Sequence, residues 1–143
     1  MIANTPLLHL AIQFNRLDLV LWLLEKGTEP DRTDKHGRTA LYFAADRRMA
    51  RTLMQAGADP KHRDLLDHTP LHAAVQTGRL EVAHALTLAQ VDLNAQDKRG
   101  HTPLHAAALK GRVKCVEHLI RQGANPNVQD RKGRHPLFYA VAG

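Results

Sequence analysis

The sequence predicts an all-α fold, a solenoid of stacked helix–turn–helix units joined by β-hairpin loops. Three markers recurring in one register carry this reading. The first is a phrase, "TPLHAAV" from Thr69 and "TPLHAAA" from Thr102, with weaker copies in "LLHLAI" from Leu7, "TALYFAA" from Thr39 and "HPLFYAV" from His135. Its histidine slot holds His9, Tyr42, His72, His105 and Phe138, at steps of 33, 30, 33 and 33 residues. The second is a quartet ahead of each later phrase: Asp34-Lys35-His36-Gly37, Asp64-Leu65-Leu66-Asp67, Asp97-Lys98-Arg99-Gly100 and Asp130-Arg131-Lys132-Gly133. The third is an apolar run closing near glycine, "LWLLEKG", "TLMQAGAD" and "HLIRQGAN". A fixed period of this size marks a repeat array, in which each unit exposes apolar surface that only a neighbour covers.

Within a unit, the elements follow from local chemistry. Thr69 or Thr102 caps a helix, and the proline after it is tolerated in the first turn, where its missing N–H costs little. Leu104, Ala107 and Ala108 form an apolar stripe at helical spacing, and Gly111 ends that helix. Val113, Val116, Leu119 and Ile120 open a second apolar face, with Gly123 as its left-handed stop. "NPNVQDRKG" from Asn125 has no stripe and reads as a hairpin with a polar tip. The units run about 4–33, 34–63 (shortened), 64–96, 97–129 and 130–143 (partial), as one array spanning 1–143.

The pattern Thr-Pro-Leu-His-x-Ala-Ala, then glycine, an apolar helix and Gly-Ala-Asp/Asn, resembles the ankyrin repeat over essentially the whole chain. That resemblance implies helices on one side and hairpins projecting from the other. It also implies that the phrase's threonine and histidine hydrogen-bond within and between units, which gives His72 and His105 a structural role. Several positions depart from the pattern. The second unit is three residues short between Ala45 and Leu53, so its helices shorten or their junction tightens. Gln90 takes the slot of Gly27, Gly57 and Gly123, so that helix end adopts another geometry or a left-handed glutamine. Asp67 replaces a tip glycine. The fifth unit ends after its first helix, which leaves Phe138, Tyr139 and Val141 without a covering helix and predicts further chain or a partner there.

Composition narrows the function. Hydrophobic residues make up 43% and charged residues 24%, as in a folded protein rather than a disordered one. No apolar run approaches the roughly 18 residues of a membrane span, and "MIANTPLLHL" does not read as a signal peptide. The single cysteine fits a reducing, cytoplasmic setting, with the nucleus also open. Cys115 shares the slot of Leu19 and Val82, so it reads as a buried thiol rather than a nucleophile. The histidines lack zinc-site spacing, although His36, His68 and His101 sit on or beside tips. No phosphate loop is present, and no enzyme, cofactor or metal is expected.

What remains is surface. Ankyrin repeats bind proteins through hairpin tips and the exposed side of the first helix. By slot, the resemblance assigns that role to Lys35, His36, Arg38, Leu65, Leu66, His68, Lys98, Arg99, His101, Arg131, Lys132 and Arg134 at the tips. On the first helices it assigns Gln13 and Phe14, Asp46 and Arg47, Gln76 and Thr77, and Leu109 and Lys110. Lys and Arg exceed Asp and Glu by 20 to 14, and three tips are basic, so the expected partner is a protein with an acidic surface and an apolar contact. Scaffold and stoichiometric inhibitor are equally open. Nucleic-acid binding through the same stripe is the alternative, without the interleaved aromatics that single-strand binders use. Asn94 and Asn127 occupy the hairpin slot that resembles substrates of an asparagine hydroxylase, each with a leucine eight residues earlier, Leu86 and Leu119; the alternative is that they only make the turn.

Overall fold

A computed structural model describes residues 5–142, with side chains placed through residue 140; the expectation for Val141 lies outside the described side chains. First helices form one layer: α1 (Leu7–Gln13), a 3-10 turn (Ala40–Phe43), α4 (Pro70–Gln76), α6 (Pro103–Leu109) and α8 (Pro136–Ala142). Second helices form the other: α2 (Leu17–Glu25), α3 (Arg47–Gln55), α5 (Leu80–Leu88) and α7 (Val113–Arg121). In the first four units the two helices pack on each other, and along the stack the first helices pack on one another throughout while α3, α5 and α7 do so in the second layer. The array is thus a two-layer stack with one continuous core, in which alanines such as Ala74, Ala83, Ala106 and Ala107 let the helices approach closely. The loops are hairpins without assigned strands among the described residues, each tip closed by two backbone bonds such as Asp97 N–H to His101 O and Gly100 N–H to Asp97 O, both at 2.9 Å.

The capping expectation holds at α4 and α6. The Thr69 hydroxyl accepts the His72 N–H, Pro70 fills the first helical position, and the imidazole accepts the Thr69 N–H in return. Thr102, Pro103 and His105 repeat this arrangement. Gly78 and Gly111 then turn the chain with φ of 74° and 69°, and Asn15 does the same in the first unit at 54°. The second unit lacks that turn. Its first helix shrinks to the 3-10 turn, and the Asp46 carboxylate accepts the Met49 N–H at 2.8 Å to start α3.

Two expectations need correction here. Asp46 and Arg47 lie at the start of a second helix, not on a first helix, because the three missing residues remove the junction by which slots were counted. The apolar face of α7 is also narrower than its composition suggests: Cys115, His118 and Leu119 are buried while Val113 and Ile120 face solvent. Only positions facing α6 and α5 are covered, and β-branched residues outside that strip remain exposed.

Gln90 is left-handed, with φ of 60° where Gly27, Gly57 and Gly123 have 92°, 105° and 100°. Its Cβ carries a steric penalty that glycine lacks. Gln90→Gly is therefore expected to stabilise the chain by roughly 1 kcal/mol, read as a higher denaturant midpoint; a lower one would contradict the strain. Asp67 is similarly left-handed at 61°.

Candidate functional site

The hairpin tips are built by their aspartates. Asp34, Asp64, Asp97 and Asp130 each use one carboxylate oxygen to accept two backbone N–H groups, two and four residues on, at 2.8–3.0 Å. Burial pushes the Asp97 carboxyl up, but the hydrogen bonds from His68, His101 and Arg99 outweigh it and hold it down at about 2. Adjacent tips are then stitched by backbone bonds: Leu65 N–H to His36 O, Lys98 N–H to Leu66 O, and Arg131 N–H to Arg99 O. The tips approach so closely that a Cβ on Gly100 would lie 2.8 Å from the Arg131 nitrogen. These bonds fix the spacing of exposed tip side chains along the stack.

Behind the tips, each first helix reaches into the next unit. His9, His72 and His105 donate from Nε2 to the carbonyls of Arg38, His101 and Arg134 at 2.7, 2.9 and 2.8 Å. Tyr42 supplies the same contact from its hydroxyl, to His68 O at 2.6 Å. In the irregular units the inner half of this clasp is missing. Pro6 stands where His72 has Thr69, which leaves His9 Nδ1 buried without a partner, and Tyr42 leaves the Thr39 hydroxyl in the same state.

This geometry sets a pH dependence. His72 is fully buried, with Nδ1 accepting and Nε2 donating, so it has no room for a second proton; burial lowers it from 6.5 to about 4. The unfolded chain takes up that proton near 6.5, so the residue's contribution is complete above 6.5 and is lost as pH falls toward 4, on the order of 3 kcal/mol. Burial also lowers His9 and His105. His68 has the opposite sign: its hydrogen bond to Asp97 raises it, so its contribution holds below 6.5 and fades as pH rises through the folded value. Denaturant midpoints between pH 7 and about 4 should therefore fall, and His72→Gln should flatten the slope.

Several assigned residues converge on one cleft of about 270 Å³, between the third and fourth tips and the ends of α4 and α6. Leu66 and Leu109 give it apolar walls, with Lys98, Arg99 and Lys110 around them and Gln76, His68 and His101 beneath. Lys98, Arg99 and Lys110 are exposed and have no ion pair among the described residues. His68 and His101 instead bridge tips, to Asp97 Oδ2 at 3.1 Å and Asp130 Oδ2 at 3.2 Å. Leu65 and Leu66 are 62% and 58% exposed and diverge as neighbours in an extended segment do: Leu65 lies over Gly37, while Leu66 lines the cleft.

The other assigned residues lie outside this cleft. Lys35, His36, Arg131 and Lys132 are exposed on the outer tips, and Phe14 is exposed at the end of α1. Arg38 and Arg134 stack on Phe43 and Phe138 at 4.8 and 4.5 Å. Arg47 belongs to the second-helix layer, paired with Glu81. The Asn94 side chain accepts the Asn125 N–H at 2.8 Å between units, while Asn127 is exposed in its turn. Cys115 is buried, which pushes its thiol up and away from the thiolate form. Phe43 and the tip aspartates were not assigned from sequence; the aspartates' fixed place ahead of every tip was the available signal.

Residues 8–97 and 71–143 match a family model described as "Ankyrin repeats (3 copies)". The chain belongs to the ankyrin-repeat family. NF-kappa-B inhibitor delta of Homo sapiens is 38% identical over 81 residues, 49% of this chain and 26% of that protein. Inversin of Canis lupus familiaris is 36% identical over 76 residues, 51% of this chain and 7% of that protein. A Danio rerio protein named as a palmitoyltransferase is 32% identical over 84 residues, 55% of this chain and 13% of that protein. The chain thus spans about a quarter or less of these relatives. Ankyrin repeats are non-catalytic protein–protein interaction modules, and no helix among the described residues is long and apolar enough to cross a membrane.

Proposed function

We propose that this ankyrin-repeat array holds an acidic segment of another protein along the groove between its tips and first helices, as a scaffold or a stoichiometric inhibitor. The cleft carries the reading: Leu66 and Leu109 form an apolar seat, Lys98, Arg99 and Lys110 surround it without ion pairs among the described residues, and the one carboxylate in the lining, Asp97, is already taken up by His68. Apolar burial at the centre and charge at the rim divide the work, the first setting residence time and the second the encounter rate. The inhibitor relative from Homo sapiens supports the class of function and leaves the partner open.

A pull-down with mass spectrometry identifies the partner, and its kinetics test the site. Replacing Lys98 and Arg99 by alanine is expected to slow association several-fold and flatten its salt dependence while dissociation changes little. Unchanged association would place the contact elsewhere. Nucleic acid answers to the same charge, but the seat is leucine rather than a stacking aromatic, so retention on random DNA should be weak and vanish steeply with salt.

A further inference from the structure

Three exposed apolar residues of the second-helix layer break the pattern of their own repeats. Leu21 is 49% exposed where the other units place Arg51, His84 and Glu117. Trp22 is 52% exposed in the slot of Thr52, Ala85 and His118. Leu88 is 68% exposed in the slot of Glu25, Gln55 and Arg121. Scattered apolar residues need no explanation, but these lie on two features that complement each other.

The first feature is α2, whose outer side offers Leu21 and Trp22 beside Asp18 and Glu25. Arg16 already pairs with Asp18 at 3.2 Å and Lys26 lies 5.7 Å from the Trp22 ring, so Glu25 is the acid left without an ion pair among the described residues. The second is a groove of about 430 Å³ between α3 and α5. Met54, Ala85, Leu88 and Ala89 make its apolar lining, and Arg47 and Arg51 stand on its rim without a carboxylate in the lining. α3 carries Arg47, Arg48 and Arg51 and no acid. Arg47 already pairs with Glu81, whereas Arg48 and Arg51 have no ion pair among the described residues. One helix therefore displays apolar side chains with acid, and a groove of the same chain displays apolar lining with base.

We propose that two copies of the chain associate through this outer face, with Leu21 and Trp22 of one copy seated in the α3–α5 groove of the other and Glu25 facing Arg51. A two-fold arrangement makes the contact twice, which lets a small patch approach the roughly 1,000 Å² that a specific interface buries. The net charge of +6 opposes association. Screening limits that repulsion to about 8 Å at physiological salt, and the basic tips lie on the other layer. The groove between the tips and the first helices stays open in such a dimer.

Trp22 is the only tryptophan, so its emission reports the contact directly. Sedimentation equilibrium and emission spectra of the 143-residue chain are compared from about 1 to 200 µM, the range suited to a contact of this size. A shift toward twice the monomer mass, with emission moving to the blue in step, is expected. Leu88→Glu, whose slot already holds Glu25 in the first unit, should weaken association at least tenfold. Glu25→Arg should do the same, and adding Arg51→Glu to it should restore the dimer. Replacing Leu65 and Leu66 by alanine should leave it unchanged, which separates this contact from the groove between the tips and the first helices. A monomer mass throughout, indifference to Leu88→Glu, failure of the charge swap to restore, or loss through the tip leucines would each overturn the proposal.

Discussion

His72→Ala is expected to destabilise the chain by roughly 3–5 kcal/mol, far more than a surface substitution. Truncation leaves a cavity where the ring is fully buried. It also strands the Thr69 N–H, which Nδ1 satisfied at 3.1 Å, and takes away the inter-unit donor to the His101 carbonyl at 2.9 Å, leaving that oxygen only the Asp97 N–H. Unsatisfied buried groups cost more than the bonds contributed, because water no longer reaches them. Equilibrium urea unfolding of His72→Ala beside His36→Ala tests this. His36 is exposed on its tip and should shift the midpoint by no more than about 0.5 kcal/mol. Equal shifts would mean that the inter-repeat clasp carries little of the stability.

Replacing Leu65 and Leu66 together by alanine is expected to weaken partner binding by roughly 2 kcal/mol or more, mainly through faster dissociation. Both side chains are more than half exposed, so the fold loses little by the change. The divergence of the pair adds a finer expectation. Leu66, which faces Leu109 and Lys98 across the cleft, should account for most of the loss, and Leu65, lying over Gly37, for less. Surface plasmon resonance on each single variant and the pair decides it. A double variant that dissociates at the parent's rate would remove the tip-centred groove as the contact.

Regular units were legible because threonine, proline, histidine and glycine each impose one local geometry at one position. The burial of Cys115 followed from its slot, whereas the slot of Gln90 left a different geometry or a left-handed glutamine, and the structure has the latter. Legibility failed where counting crossed the deletion: Arg47 moved from the first-helix layer to the second because the turn separating the two had gone. It failed again at the tips. His68 and His101 resemble free basic side chains in the sequence, yet each is tied to the aspartate of the next tip. A contact between residues about 30 positions apart leaves no mark on local spacing. The cleft is of the same kind, since Leu66 and Leu109 meet only once the stack exists.

The clasp between units has a consequence for how such a chain changes over generations. His72 and His105 take hold of a main-chain oxygen, and every residue owns one. The joint is therefore blind to the identity of the residue it grips, which here is a histidine in one case and an arginine in the other. Duplicating, deleting or exchanging a whole unit preserves the joint without any matching substitution next door. Tip side chains can then drift toward a new ligand while the mortar between the bricks stays the same.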